Sequence, residues 1–445
     1  MNKINSAVEK NRELILNTQN YIWNHPETGY KEVLTSKYLE DAFENLGYKL
    51  VKAGDIPGFY TVFDTGRPGP EVMVLGELDA LICESHPDAD PDTGAVHACG
   101  HSAQCAALVG VAAALREKGV TDELSGKIRL CAVPAEELIE IEYRSSLIKE
   151  GRIHYMGGKT EFLYRGLFDG VDLAFLVHTT SVRNILIRKG SVGMIAKQVL
   201  YEGVAAHAGG SPWDGRNALY AATLGLSAIN SIRETFKEQD ITRVHPIITK
   251  GGDVVNAIPD DVRVESYIRG RTFEAMVDAN KKVNRALCGS ALSLGVNIKI
   301  HDMVGYAPLV NSNDMMELAR DAASALPEIP VEFNDNISSG STDMGDLSCV
   351  MPVVHPYMPG SEGRGHGSDA RIANPEWACV GSAKWQMNML YLLLKDGAQR
   401  AKAIIKNYDA PFKSYEEYFN YVNNLKKEGN RINYNSDGTA SVDMF

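Results

Sequence analysis

Three short stretches of the chain carry side chains suited to holding metal ions. His97-Ala98-Cys99-Gly100-His101 offers a thiol and imidazoles, Pro134-Ala135-Glu136-Glu137 offers two adjacent carboxylates, and His178 adds a further imidazole. A Cys-Gly-His spacing puts donors two residues apart in a bent loop, where both can face one ion. Thiolate and imidazole donors suit a borderline cation, so Zn²⁺ is the first choice, with Mn²⁺ and Co²⁺ as alternatives. Each piece alone has a plainer explanation. A lone cysteine is usually a small buried hydrophobe, a histidine at a strand end is usually just hydrogen-bonded, and an acidic pair is usually a solvated surface. It is the joint placement of the three that argues for metal.

That placement depends on the elements around them. Glu71–Leu75, Lys127–Val133 and Val171–Val177 read as continuous apolar strands, and Ser102–Glu117 reads as a helix. Unbroken apolar strands separated by helices indicate a parallel sheet covered on both faces. The Glu136-Glu137 pair and His178 then follow strand ends, and Cys99 and His101 lie just before the helix. In open α/β sheets ligands bind at the carboxyl ends of strands. From Arg188 the rhythm changes to strand, helix, strand, strand, helix, strand, the order of a ferredoxin-like module. The expected fold class is therefore α/β: a catalytic domain with a mostly parallel sheet flanked by helices, interrupted by a smaller α+β domain. The boundaries read as 1–187, 188–302 and 303–445. The segment 138–166 and the tail after 410 carry no readable pattern.

A chain of 445 residues is long enough for two or three domains. Its formal charge of −12 and the lack of a basic run argue against nucleic acid as a partner. Seven scattered cysteines without a Cys-x-x-Cys pair suit a reducing compartment better than a disulfide framework. The first residues show no apolar signal-peptide core, and the longest apolar run is far short of the roughly 18 residues a membrane span needs. A cytoplasmic protein with no membrane partner is expected.

Taken together, the motifs resemble those of the co-catalytic metal amidohydrolases and metallopeptidases that include glutamate carboxypeptidase, aminoacylase and the indoleacetyl-amino-acid hydrolases. The resemblance rests on HPETGYKE, LGELDAL, HACGH, PAEE, GLFDGVDLAFLVH, GVAAHAGGSPWDGRNAL, GGDVVNAIPD, GSTDMGDLS and GHG. The stretches GGK, GLFDGVD and GSTDMGD look most like the B-subunit lineage of the aminobenzoyl-glutamate hydrolases. The resemblance implies two divalent ions in each subunit. Cys99 would bridge them, Glu137 and His366 would complete one site, and His101 and His178 the other. Glu136 matches the general base and Asp79 a carboxylate that orients a metal-bound group. His207 matches a lid-domain histidine that reaches the partner's active site. Asn256 and Arg269 resemble positions contacting the substrate carboxylate or the scissile carbonyl. Residues 188–302 would then be a lid and dimerisation domain of a homodimer, and a paralogous second subunit is a further candidate partner.

The chemistry itself is amide hydrolysis. Two ions roughly 3.5–4 Å apart lower the pKa of a shared water and polarise the carbonyl. A carboxylate not committed to metal takes the proton from that water and returns it to the leaving amine. Adjacent residues after a strand can divide this labour, with Glu137 on metal and Glu136 facing the water. The expected substrate is an N-acyl or N-aroyl amino acid, or a dipeptide-like amide.

Three rival readings are weaker. A serine hydrolase needs a Gly-x-Ser-x-Gly elbow, and Gly209-Gly210-Ser211-Pro212-Trp213 lacks the second glycine. A dinucleotide enzyme needs Gly-x-Gly-x-x-Gly at the first helix, which instead opens with Cys99-Gly100-His101-Ser102. A catalytically silent binding protein of the same fold draws support from Ser102-Ala103-Gln104, which follows the Cys-Gly-His motif where Asp-x-His or Asn is usual. A further departure, Glu77-Leu78-Asp79 in place of Asp-x-Asp, bears on the geometry around the site.

Overall fold

The structure is a computed structural model that describes residues 2–443. It divides into two compact units. Unit 1 comprises the chain up to Gly190, Leu309–Ile337 and Thr342–Tyr415. Unit 2 comprises Ser191–Pro308, Ser338–Ser341 and the chain from Glu416 onward.

Unit 1 is built on a six-stranded sheet. Its strands are β1 (Val51–Lys52), β2 (Phe59–Asp64), β3 (Glu71–Glu77), β4 (Lys127–Val133), β5 (Leu173–Phe175) and a last strand Val353–Val354, in the order β1-β2-β4-β3-β5 and then Val353–Val354. From β4 through β3 and β5 to Val353–Val354 the pairing is parallel, while β1 and β2 add an antiparallel edge. β3 and β4 are buried along nearly their whole length, which is why they read as unbroken apolar runs. Helix α1 (His101–Arg116) connects them and is buried from His101 to Leu115. Its alanine-rich surface packs on β3 and on the helices Arg12–Trp23 and Ser382–Asn407. The stretch after β4, unreadable in sequence, forms α2 (Ile141–Lys149) and α3 (Gly158–Tyr164), followed by β5.

Unit 2 is an antiparallel sheet of β6 (Gly193–Glu202), β7 (Arg243–Lys250), β8 (Asp261–Gly270), β9 (Asn297–Tyr306) and β10 (Lys427–Asn430), in the order β7-β8-β6-β9-β10. Helices α4 (Ala218–Ser231) and α5 (Phe273–Ser293) pack together and on the sheet. Alternating burial along β8 matches a sheet with one covered face. Whereas the sequence reading put all of 303–445 with the larger domain, the chain from Glu416 joins unit 2. The cause is β10, which pairs antiparallel with β9 from Lys299 to Asp302. Among the described residues, no helix is long and apolar enough to cross a membrane.

Candidate metal centre

In unit 1 the carboxyl ends of β3 and β4 and the chain after β5 converge on one cluster. Gly100, with φ +101°, ends the His97–Gly100 loop and opens α1. A Cβ there would lie 2.2 Å from Thr179 Cγ2, so only glycine lets this loop close on the His178 segment. Cys99 Sγ consequently sits 3.3 Å from His178 Nε2. Donor atoms of Cys99, His101 and His178 all lie within 4.8 Å of one another. Those of Cys99, Glu137 and His366 form a second such group. The two groups share the Cys99 sulfur. His366 comes from a loop residue with φ +63°, and its Nε2 lies 3.2 Å from Glu137 Oε1.

A buried frame holds these donors. Asp79 Oδ2 accepts the backbone N–H of Glu137 at 2.8 Å, and the Asp79 carbonyl oxygen lies 2.8 Å from His101 Nδ1. His178 Nδ1 lies 2.7 Å from the carbonyl oxygen of Thr179. In both imidazoles a hydrogen on Nδ1 leaves Nε2 as the donor toward a cation, the usual orienting arrangement for a ligating histidine. The Ala135-Glu136-Glu137 turn is itself strained, with Ala135 at φ +58°. Glu32 accepts the Ala135 N–H at 2.7 Å. The fully buried guanidinium of Arg144 donates to the carbonyls of Ala135 (3.3 Å), Met156 (2.7 Å) and Glu137. Arg144 lies on α2, in the stretch that carried no readable sequence signal. Gly158, which opens α3, passes so close that a Cβ would meet the Pro134 carbonyl oxygen at 1.6 Å.

The electrostatics follow from this crowding. Burial and the Glu137 charge both raise the Cys99 thiol, yet His101 and His178 outweigh them and bring it down to about 6. Burial opposes ionisation of Glu137, but contact with His366 prevails and holds it at about 2. Burial, then the Glu77 and Glu137 carboxylates, keep Glu136 well above the ordinary carboxylate range. A divalent cation beside it would act in the opposite sense. The buried Nε2 of His101 has no hydrogen-bond partner. With a low thiol, histidines presenting Nε2 and the Glu137 carboxylate, the donor set fits two borderline divalent cations.

A second buried group adjoins the first and was not foreseen. Glu77, the last residue of β3, accepts from Lys159 Nζ at 2.5 Å through Oε1 and from Gln104 Nε2 at 2.8 Å through Oε2. Lys159 Nζ also donates to Asp343, whose other oxygen accepts the Lys159 N–H at 2.8 Å. All four side chains are buried. The two departures of the sequence are thus partners, Gln104 clamping Glu77. Lys159 and Asp343 did lie inside the GGK and GSTDMGD stretches, but nothing in their spacing pairs them across 184 positions.

The remaining expected residues belong to unit 2. His207 is exposed, and its Nδ1 accepts the backbone N–H groups of Gly209 (3.1 Å) and Gly210 (2.8 Å). Nε2 of His207 therefore carries the ring hydrogen. Asn256 lies beside it, its carbonyl accepting the Ala208 N–H at 2.9 Å. On β8, Arg269 donates to Ser341 Oγ at 3.2 Å and to His245 Nε2 at 3.2 Å.

Residues 73–389 match the model of peptidase family M20/M25/M40. The chain is 29% identical to a human Xaa-Arg dipeptidase over 360 residues, 76% of this chain and 74% of the relative. It is 28% identical to the B subunit of p-aminobenzoyl-glutamate hydrolase from Escherichia coli over 419 residues, 80% and 82% of the two chains. Among solved structures, an aminobenzoyl-glutamate utilization protein from Klebsiella pneumoniae has a similar fold, with a TM-score of 0.66 at 18% identity over 89% of this chain and 99% of that one. A dinuclear metal-binding M20 peptidase from Bacillus subtilis has a TM-score of 0.64 at 19% identity, covering 87% and 99%.

Proposed function

Since the chain belongs to peptidase family M20/M25/M40 and is a hydrolase, we propose that it cleaves the amide bond of an N-acyl or N-aroyl amino acid, or of a dipeptide-like substrate, with two divalent metal ions. The observation that carries this reading is the pair of three-donor groups sharing Cys99, with Glu136 in neither of them. Relatives named indole-3-acetyl-aspartic acid hydrolase and N-acetyl-L-cysteine deacetylase support the substrate class.

Cys99, Glu137 and His366 would hold one ion, and Cys99, His101 and His178 the other, with the Cys99 sulfur common to both groups. When bound, the ions would supply Lewis acidity and lower the pKa of a water. Glu136 would take the proton of the attacking water and hand it to the leaving amine. Asp79, Glu32 and Arg144 keep the turn that presents Glu136 from relaxing. His207 donates from Nε2 to the carbonyl oxygen as charge develops there. Its tautomer, set by Gly209 and Gly210, supports that role. Asn256 and Arg269 would contact the substrate carboxylate or the scissile carbonyl, Arg269 with its fork held by Ser341 and His245.

Unit 2 acts as the lid and dimerisation module expected over 188–302. A homodimer is supported by the edge strand β7, which exposes Ile247 (61%), and by Tyr220 (66%) on α4. The Escherichia coli relative is named as one subunit of its hydrolase, which favours a paralogous second chain as a further partner. Seven free cysteines support a reducing, cytoplasmic setting. Zn²⁺ is the first choice of ion, ahead of Mn²⁺ and Co²⁺. The silent-binder alternative loses its main ground, because Gln104 has a structural role as the clamp on Glu77.

The test is a hydrolysis screen of N-acyl amino acids, N-aroyl amino acids and dipeptides after chelation, with Zn²⁺, Mn²⁺ or Co²⁺ added back. Turnover that depends on added metal supports the reading. Full metal loading without turnover of any of these amides overturns it.

A further inference from the structure

The geometry points to Glu77 as a further ligand of the ion held by His101 and His178, oriented for that task by Lys159. This inference rests on the dinuclear reading above and adds to it a residue outside the five donors already assigned.

Three observations carry it. First, Glu77 Oε2 lies 3.1 Å from His101 Nε2, and donor atoms of Glu77, His101 and Glu136 fall within 4.8 Å of one another. Despite that short distance, His101 Nε2 has no hydrogen-bond partner. The two atoms are neighbours without an N–H···O alignment, as two donors facing a common third point would be. Second, the carboxylate is polarised in its contacts. Oε1 is taken by the Lys159 ammonium at 2.5 Å, while Oε2 meets only the neutral amide of Gln104 at 2.8 Å besides the imidazole. A carboxylate oxygen has two lone pairs, so Oε2 keeps one for a cation. Third, Glu77 and Asp343 share the single ammonium of Lys159, all three side chains being fully buried. The Glu77 carboxylate therefore has its second charged neighbour on the His101 side, 3.1 Å from Nε2, and a divalent cation held there would take that place. Lys159 is a positioning residue on this account, fixing Oε1 so that Oε2 faces the ion.

The experiment uses the full chain and Zn²⁺ alone, with no substrate. Competition against a chromophoric chelator measures the two zinc affinities of wild type, Glu77→Gln and Glu77→Asp. The aspartate keeps Lys159 paired but sets the oxygen back by one methylene. Loss of even an outer partner of a ligand costs about 10–100-fold in affinity, so both variants are expected to lose at least about tenfold at one site and little at the other. A crystal of the zinc-loaded wild type decides independently of any variant's folding: Oε2 is expected at about 2.0–2.2 Å from the ion. An Oε2 outside coordination distance, or unchanged zinc affinities in a folded Glu77→Gln protein, overturns the assignment while leaving the dinuclear centre standing. A wild-type chain that binds no zinc, manganese or cobalt overturns both.

Discussion

Asp79 is joined to Glu137 by a 2.8 Å hydrogen bond from the Glu137 N–H to Oδ2, and its carbonyl oxygen lies 2.8 Å from His101 Nδ1. One residue thus orients a donor of each proposed metal site. Asp79→Ala removes the carboxylate acceptor and loosens the turn, so zinc affinity should fall by about 10–100-fold, most clearly on the Glu137 side. Asp79→Asn keeps an oxygen for the Glu137 N–H and should lose less. Dialysis against graded chelator followed by metal analysis reads both. Equal retention in Asp79→Ala and wild type would show that the turn holds Glu137 without it.

Glu136 and Glu137 are adjacent, yet only Glu137 belongs to a group containing Cys99. Glu136→Gln should therefore keep two ions and lose turnover by about 10²–10⁴-fold, the usual worth of a positioned proton-transfer group. Glu137→Gln should instead lose metal. Should Glu136→Gln shed an ion, or keep near-normal turnover, the division of labour between the two carboxyl groups would be wrong.

Cys99 belongs to both donor groups, and its thiol is brought down to about 6 by His101 and His178 acting against burial. Replacing it by serine puts a far weaker acid at the shared position. Cys99→Ser should weaken both sites together, seen as a drop in stoichiometry from two ions toward none as chelator is raised. One site retained at its original affinity would mark Cys99 as a terminal ligand of the other.

How much of this was legible in the sequence depended on distance along the chain. Cys99 and His101 declare themselves by spacing, and the Glu136-Glu137 pair and His178 by following apolar strands. The strand Lys127–Val133 is found where its composition places it, because burial on both faces writes itself into an unbroken apolar run. Arg144, Lys159 and Glu77 were not legible as a frame. Their meaning lies in contacts such as Lys159 to Asp343, 184 residues apart, and a polar residue in sequence does not reveal that it is buried. The tail was equally opaque, since β10 is four residues of mixed polarity whose strand character comes from the β9 edge it joins.

Arg144 offers a test of that hidden frame. Its guanidinium is buried and donates to the main-chain carbonyls of Ala135, Met156 and Glu137, among others. Arg144→Met fills similar space but removes the charged donor, leaving the Ala135 and Glu137 carbonyls only the backbone N–H groups of Gly158 and Ile139. Hydrogen bonds to charged groups contribute about 1.5–3 kcal/mol each, and the gain from no longer burying a charge offsets part of the loss, so a net destabilisation of about 2–4 kcal/mol is expected. The midpoint of urea unfolding, at unchanged m, measures it. No shift in midpoint would mean that Glu32 and α3 hold the Ala135 turn unaided.

His207 carries the last prediction. Two glycine N–H groups fix Nδ1 as an acceptor, so Nε2–H is a ready donor, and the ring is exposed rather than packed. If Nε2–H meets the developing oxyanion, His207→Ala should lower kcat by about 10²–10³-fold, the cost of losing one oxyanion donor, while both ions stay bound. In a two-fold dimer whose sites borrow this residue from the partner, inactive His207→Ala chains mixed with inactive Glu136→Gln chains should regain part of the activity. Each hybrid dimer would then contain one site with Glu136 from one chain and His207 from the other. Activity that stays absent after subunit exchange has been demonstrated by mass would leave His207 serving its own chain. A kcat unchanged in His207→Ala would remove it from the reaction altogether.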